Sequence, residues 1–455
     1  MAFKTTSSKR AHSHIEWDQW HVYKSQSIEQ SMSPPETPPL EENSTHPIHP
    51  WPEPETAPEG LARKRRRTVD ADESDDFNVE HQDVLLLHAP RQRYAHTRQQ
   101  PVPKLRDERE MLVAVDVVGL NPIDWKAPDF GWGLPALPCI SGRDLAGRVV
   151  KTPSVRSRFV KGDSVMAIST DYRDSRKAAY QQYAVVSDFN ACRLPGHLGA
   201  RDAAPLGVAF VAAALALGIC MGVDFGRGHG PRGPHLQQIV RSLPRSALPK
   251  DIQQECFDNI RPGEGARAGE WIAIWGGSSA TGCCAVQLAK LAGLKVIAII
   301  DVARSGERML KHGADLLVDR LDPGRAVEIV RSVTQGRLRF GLDTIGRETS
   351  RQMAQVMRPG NEDGDGRAHL VGLVGLPAAS TDGVVYHSVP IKAFHEASAV
   401  GEGMMVWLEK LLERKLLHTP DIEVAAGGLA GINAALDRLR DGSVNGPRIV
   451  VPLTA

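Results

Sequence analysis

The run Trp271-Ile272-Ala273-Ile274-Trp275-Gly276-Gly277-Ser278-Ser279-Ala280-Thr281-Gly282 constrains this chain more than any other stretch. An apolar segment leads into a glycine-rich turn, and a helical pattern, Ala285 to Leu291, follows directly. Strand, tight turn and helix N-terminus in that order make a dinucleotide site. The glycines let backbone approach a pyrophosphate, and the N–H groups at a helix start favour its negative charge. A second apolar segment, Lys295 to Ile300, ends at Asp301. That carboxylate stands about twenty residues past the last glycine, where the adenosine ribose of such a ligand lies. The spelling is Gly-Gly-x-x-x-x-Gly and departs from the strict Gly-x-Gly-x-x-Gly, so the flanking elements carry much of the argument. The candidate phosphate contacts are Gly276, Gly277, Ser278, Ser279, Ala280, Thr281 and Gly282.

From Glu270 onward, strand and helix patterns alternate. Trp271–Trp275 is followed by Cys283–Ala292, Lys295–Ile300 by Gly306–His312, and Leu316–Val318 by Ala326–Thr334. Phe340–Asp343 is followed by Glu348–Met357, and His369–Leu373 is a further strand. The alternation predicts a doubly wound parallel sheet in an α/β fold. Upstream, short apolar runs at 82–87, 111–118, 147–150, 164–168 and 183–186, punctuated by Gly and Pro, predict a β-rich domain. An uncharged helix, 206–222, connects the two, and 224–268 reads as a surface insertion carrying a short helix or two. Helices at Met404–Leu416 and Gly431–Arg440 precede a last strand, Arg448–Val451, expected to return to the β-rich domain and make it discontinuous. The expected boundaries are 1–80, 81–206, 207–390 and 391–455.

Residues 1–80, dominated by Ser, Pro, Glu and His without a sustained period, predict a disordered tail. Its basic run Arg63-Lys64-Arg65-Arg66-Arg67 reads as a nuclear-import or polyanion signal, or as a solvated block of charge. The chain has 455 residues, 42% hydrophobic and 24% charged, enough for two packed domains besides the tail. A net charge of +1 offers no global electrostatic case for binding nucleic acid or a membrane. Ala203 to Val223 carries no charge, yet its Ala, Gly and Val content with Pro205 near the start fits a buried helix better than a membrane span. Six cysteines without a Cys-x-x-Cys pair read as reduced, buried thiols. With neither a secretory nor a mitochondrial signal pattern, the expected location is cytoplasmic, with the nucleus as the alternative.

Five motifs in order carry a resemblance: Gly119-Leu120-Asn121-Pro122-Ile123-Asp124-Trp125-Lys126, Gly142-Arg143-Asp144-Leu145-Ala146-Gly147, Trp275 to Gly282, His312-Gly313-Ala314-Asp315, and Gly442 to Arg448. The chain resembles the medium-chain dehydrogenase/reductase superfamily, in its zinc-free enoyl-reductase and quinone-reductase branch, and the fungal trans-acting enoyl reductases of polyketide synthesis. The resemblance implies a GroES-like fold for the β-rich domain, a Rossmann fold for the other, and a monomer or homodimer in secondary metabolism. It implies NADPH-dependent reduction of an activated C=C bond in a small or carrier-tethered substrate. Zinc-dependent relatives have Cys where Asn121 stands and His-Glu where Arg143-Asp144 stand. Asn and Arg cannot replace a thiolate and an imidazole as zinc ligands, so no metal is expected there. Quinone or aldehyde reduction on the same site, or a non-catalytic nucleotide-binding regulatory role, are the alternative functions.

By resemblance Lys126 is the candidate proton source or oxyanion donor. The alternative is an exposed lysine paired with Asp124 or Asp129. Asn121 and Asp124 are expected to brace this catalytic loop and touch the nicotinamide end. Where relatives often have a threonine facing the cofactor, this chain has Ala212. Asp343, Gly372 and Leu373 are candidate contacts near the nicotinamide, and Ser443-Val444-Asn445 matches a cofactor-touching loop; a structural turn is the alternative for each. Asp301 favours a ribose hydroxyl and hence NADH. Arg304 and Arg320 could bind a 2′-phosphate if Asp301 turned away or paired with one of them, and the family leans to NADPH.

Overall fold

A computed structural model of the chain describes residues 77–358, 366–444 and 446–453. The expected tail up to residue 76, its basic run, and Asn445 lie outside the described residues.

β1 (His81–Leu87) pairs antiparallel with β2 (Ala95–Pro101) and with the two-residue β4 (Cys139–Ile140). The ten-residue β3 (Glu110–Gly119) organises a seven-stranded sheet. One edge of β3 takes β5 (Asp144–Lys151), followed by β6 (Ser164–Ile168) and β8 (Ala191–Arg193). The other edge takes β7 (Tyr183–Ser187) against its first half. β16 (Arg448–Pro452) pairs with Val117–Gly119 and carries β15 (Ile422–Val424) beside it. The last strand of the chain thus lies at the exit of β3, where Leu120 N–H donates to Ile449 O at 3.0 Å. That register brings Arg448 to Asn121.

The second large sheet holds β9 (Trp271–Trp275), β10 (Lys295–Ile300), β11 (Leu316–Asp319), β12 (Phe340–Asp343), β13 (Ala368–Gly372) and β14 (Val384–His387). All its pairs are parallel and the order is β11-β10-β9-β12-β13-β14. Strand order reverses between β9 and β12, the position where open α/β sheets leave a crevice for a ligand. Ile272, Ala273 and Ile274 have no exposed surface, because a central parallel strand is covered on both faces.

The longer helices are α1 (Pro122–Phe130), α2 (Gly207–Leu215), α3 (Leu236–Arg241), α4 (Lys250–Phe257), α5 (Ala280–Leu291), α6 (Val302–Lys311), α7 (Pro323–Thr334), α8 (Arg347–Ala354), α9 (Ser398–Glu413) and α10 (Gly428–Arg440). The uncharged stretch is core: 94% of the most apolar window in Ala200–Cys220 is buried inside the protein. It is not one uniform helix. A 3-10 turn at Ala204–Leu206 leads into α2, which loosens to a π-helix at Ala216–Cys220. Gly218 lies there so close to Leu236 and Phe225 that a methyl group would fall 2.8 Å from Leu236 Cδ1.

One expectation needs correction. The 224–268 segment is no mere surface insertion. Phe225, Leu236, Val240, Leu248, Ile252 and Cys256 are buried in the core that contains α2, because α3 and α4 each turn an apolar side inward. The strand β2 has no signature in the sequence, since Ala95–Pro101 is mostly exposed and polar and shows no apolar alternation. All six cysteines are free and buried.

Candidate active site

The glycine turn opens at the end of β9. Gly276 has φ +77, and a methyl group on it would lie 2.2 Å from Thr344 Oγ1. On Gly282 it would lie 2.3 Å from Gly276 O, so the turn closes on itself too tightly for any side chain at either position. Ser279 caps α5, its Oγ accepting the Gly282 N–H at 3.1 Å, and also donates to Thr344 Oγ1 at 3.0 Å. Ser278, Ser279, Ala280 and Thr281 are half-exposed, whereas Gly276, Gly277 and Gly282 are buried. The N–H groups at the start of α5 have no carbonyl one turn back, so this cradle suits a dinucleotide pyrophosphate.

At the end of β10, Asp301 accepts the Arg304 N–H at 3.1 Å and caps α6. Arg320, which follows β11, brings Nη2 to 3.8 Å from Asp301 Oδ2. Asp301, Arg304 and Arg320 are therefore together, with the carboxylate turned onto its own helix and toward one of the two guanidinium groups. The C-terminal turn passes beside them, since a methyl group on Gly446 would lie 4.0 Å from Arg304 Nη2. Of the two side chains proposed in that turn, Ser443 is exposed and donates to Arg438 O, and Val444 packs on the core of the β-rich domain. Both geometries match the structural-turn alternative.

The ends of β12 and β13 lie beside the glycine turn, with Asp343 in register with Trp275 and Gly372. Asp343 has no exposed surface and accepts the Ile345 and Gly346 N–H groups at 2.9 and 2.8 Å. Burial pushes its carboxyl up to about 6. Through Oδ1 the carboxylate shapes the turn from inside, the structural role that was the alternative for this residue. Leu373 N–H is engaged as well, donating to Asp343 O at 2.9 Å.

A buried polar cluster lies where β3, β5 and β16 meet. Asn121 Nδ2 donates to Asp144 Oδ2 at 2.9 Å, and Arg448 Nη2 donates to Asn121 Oδ1 at 2.7 Å. Arg448 stands 3.9 Å from Asp144, whose other oxygen accepts the Val208 N–H at 2.8 Å. Burial pushes the Asp144 carboxyl up to about 7 against the pull of Arg448, and it lowers the Arg448 guanidinium. Asp124 Oδ2 accepts from the Asn121 N–H at 2.8 Å and the Tyr180 hydroxyl at 2.9 Å. Burial raises its carboxyl too. Pro122 at the first helical position and the Asp124 bond back to Asn121 start α1, and Gly131 in the left-handed region ends it. Asp124, itself buried, thus braces the loop.

Lys126 is half-buried on α1, its Nζ 5.6 Å from the Trp125 ring centroid. Asp124 is engaged as above, and Asp129 accepts from Arg440 at 2.6 and 3.0 Å. In α2 every residue is buried except Val208 and Ala212, one turn apart on one face. That face is the open side of a helix that otherwise packs against α5 and the β-rich sheet.

Sequence reasoning missed three residues. Arg308 on α6 reaches the glycine turn, donating to Ser278 O at 3.3 Å while pairing with Asp421 at 2.8 Å. Arg448 and Tyr180 complete the Asn121 cluster. A cationic residue one turn past Arg304 was the available signal for Arg308, and Arg448 closes the Gly442 to Arg448 motif without its role being legible there; nothing local marks Tyr180. The cluster does not fit tetrahedral zinc. Asn121 presents its amide N–H to Asp144, Arg448 already supplies the cation, and Arg143 is stacked with its guanidinium carbon 3.5 Å from the Tyr172 ring centroid.

Two family models match, an alcohol dehydrogenase GroES-like domain over residues 107–209 and a zinc-binding dehydrogenase over 280–408. The trans-enoyl reductase BOA5 of Botryotinia fuckeliana is 27% identical over 378 residues, covering 78% of this chain and 95% of that protein. Among solved structures, an alcohol dehydrogenase superfamily protein from Novosphingobium aromaticivorans aligns with a TM-score of 0.62 at 20% identity, over 82% of this chain and all of that one. Escherichia coli quinone oxidoreductase complexed with NADPH aligns with a TM-score of 0.58 at 16% identity, over 82% of this chain and 99% of that one. With the paired sheets, the glycine cradle at the strand-order reversal and these matches, the chain belongs to the medium-chain dehydrogenase/reductase superfamily, among its enoyl-reductase-like members.

Proposed function

We propose that this protein is an NAD(P)H-dependent oxidoreductase that reduces an activated C=C bond, in an enoyl or enone substrate that is small or carrier-tethered, without a metal in the cleft. The observation that carries the reading is the glycine cradle at the start of α5, closed by Gly276 and Gly282, beside a connecting helix whose Val208–Ala212 face alone is not fully buried. The trans-enoyl reductases among its relatives support the same reaction class.

A bound reduced nicotinamide supplies the hydride in this reading. The residues of the chain do the rest. The turn 276–282 binds the pyrophosphate through backbone N–H groups, with Arg308 adding positive charge beside Ser278. Arg320 and Arg304 hold a 2′-phosphate once Asp301 is occupied by its helix cap, which favours NADPH. The Val208–Ala212 face receives the nicotinamide. Lys126 donates to the developing enolate oxygen or delivers the proton to the α-carbon, a contribution of roughly 10²–10⁴ in rate for a positioned acid. Asn121, Asp124 and Tyr180 hold the start of its helix.

Titration of the full chain with NADPH and NADH, followed by quenching of Trp275 at the end of β9, tests the site. Saturable micromolar binding, then turnover of an enone or enoyl thioester, is the expected result. Binding without turnover of any enone, enoyl thioester or quinone favours the non-catalytic reading, for which Ala212 on the open face is the specific support. Absence of binding to both nucleotides overturns the proposal.

A further inference from the structure

Outside the cleft, three donor side chains from distant parts of the sequence converge. Cys220 ends the π-helical turn after α2, Glu255 lies on α4 of the 224–268 segment, and His387 ends β14. One ligand atom from each lies within 4.8 Å of the other two. Cys220 and His387 are buried and Glu255 is half-buried.

The hydrogen-bond chain behind His387 shows how the ring can exchange a proton for a cation. His387 Nδ1 is 2.9 Å from Glu255 Oε2, and its Nε2 is 3.0 Å from His369 Nδ1. His369 in turn sets Nε2 3.9 Å from Glu264 Oε2. Arg367 holds that carboxylate at 2.6 and 2.7 Å. A neutral imidazole carries one N–H, and a carboxylate only accepts. With one proton on each ring, His387 Nδ1–H donates to Glu255 Oε2, and His387 Nε2 accepts from His369 Nδ1–H. That leaves the buried His369 Nε2 without a hydrogen-bond partner, since 3.9 Å from Glu264 is too long for one. A cation taking the place of the proton between His387 Nδ1 and Glu255 moves both ring protons one place along: His387 Nε2–H then donates to His369 Nδ1, and His369 carries its proton on Nε2 toward Glu264. The Cys220 sulfur is the third donor within reach of that point.

We infer that Cys220, Glu255 and His387 bind a divalent transition-metal ion of the zinc type. Sulfur, imidazole nitrogen and carboxylate oxygen are the donors such an ion takes, and His369 fixes the ring of His387 as the hydrogen-bonded partner behind a metal-bound histidine does. Binding releases the Cys220 proton to solvent. A thiolate, a carboxylate and a neutral imidazole around a 2+ ion then make an assembly with no net charge, which lowers the cost of placing it in the interior. The ion clips the 224–268 segment to the edge of the parallel sheet and to the end of the connecting helix. It stands apart from the Asn121 cluster and does not depend on the proposed reaction.

The test uses the full chain and Co²⁺ as probe, because 16 histidines make total metal content a poor readout. The expected result is a thiolate-to-cobalt charge-transfer band that saturates at one equivalent and is displaced by Zn²⁺. Cys220→Ser removes the band, and Cys256→Ser leaves it. Glu255→Gln keeps the side chain's size and an oxygen to accept the Ser388 N–H, so the fold is kept, read by circular dichroism, while metal affinity falls by about tenfold or more. A folded wild-type chain that gives no such band overturns the proposal, as does a band that survives Cys220→Ser or an affinity unchanged in Glu255→Gln.

Discussion

Arg320 and Asp301 leave the ends of adjacent parallel strands and meet as an ion pair, Nη2 to Oδ2 at 3.8 Å, while Asp301 Oδ1 caps the helix that follows it. The carboxylate that on sequence grounds selects a ribose hydroxyl is thus engaged twice within its own surroundings. Arg320 is half exposed, and an ion pair of that kind is worth little, so a 2′-phosphate can compete for the guanidinium.

Arg320→Ala should weaken NADPH binding by about tenfold, the value of one charge-assisted contact, and leave NADH binding nearly unchanged. Asp301→Ser keeps a capping side chain and removes the negative charge, so NADPH affinity should rise relative to NADH. Parallel fluorescence titrations of the two variants check both. An unchanged preference in Asp301→Ser would place Asp301 away from the ribose.

Gly282→Ala puts a methyl group 2.3 Å from Gly276 O and 2.7 Å from Gly277 O, both backbone atoms that cannot move without opening the turn. Nucleotide binding should be lost, and stability should fall by about 2 kcal/mol, the usual range for forced overpacking. Chemical denaturation and nucleotide titration of the same sample measure the two effects separately.

Lys126→Ala should lower kcat by about a hundredfold with nucleotide affinity unaltered, because the side chain acts in the reaction and not on the pyrophosphate. Ala212→Thr adds a hydroxyl on the open face of α2 and should raise kcat. A kcat equal to wild type in Lys126→Ala removes that residue from the chemistry.

Asp144 gives a pH signature. Its carboxyl is raised from 3.8 to about 7 in the folded chain by burial, so the folded state holds a proton that the unfolded state has released. The stabilisation this brings is full below 3.8 and is lost as pH rises to about 7. Asp144→Asn removes the titrating group. Melting temperatures recorded across that window should fall less steeply with rising pH in Asp144→Asn than in wild type, and equal slopes would refute the assignment.

The sequence alone determined the parallel sheet, the glycine turn and the two-part fold, because each is written in local pattern: unbroken apolar runs for strands covered on both faces, and glycines where the turn between β9 and α5 leaves no room for a side chain. It also marked Asn121 and Arg143 as unsuited to zinc, since ligand chemistry is a property of the residue itself. Only the tertiary structure decided what those residues do. Arg448 reaches Asn121 because β16 pairs antiparallel with β3, and Tyr180 reaches Asp124 across 56 residues of chain. Asp343 shows why the remainder was illegible. Strand position placed it at the cleft, yet its carboxylate points inward to Ile345 and Gly346, and side-chain direction at a strand end depends on the neighbours that pack around it.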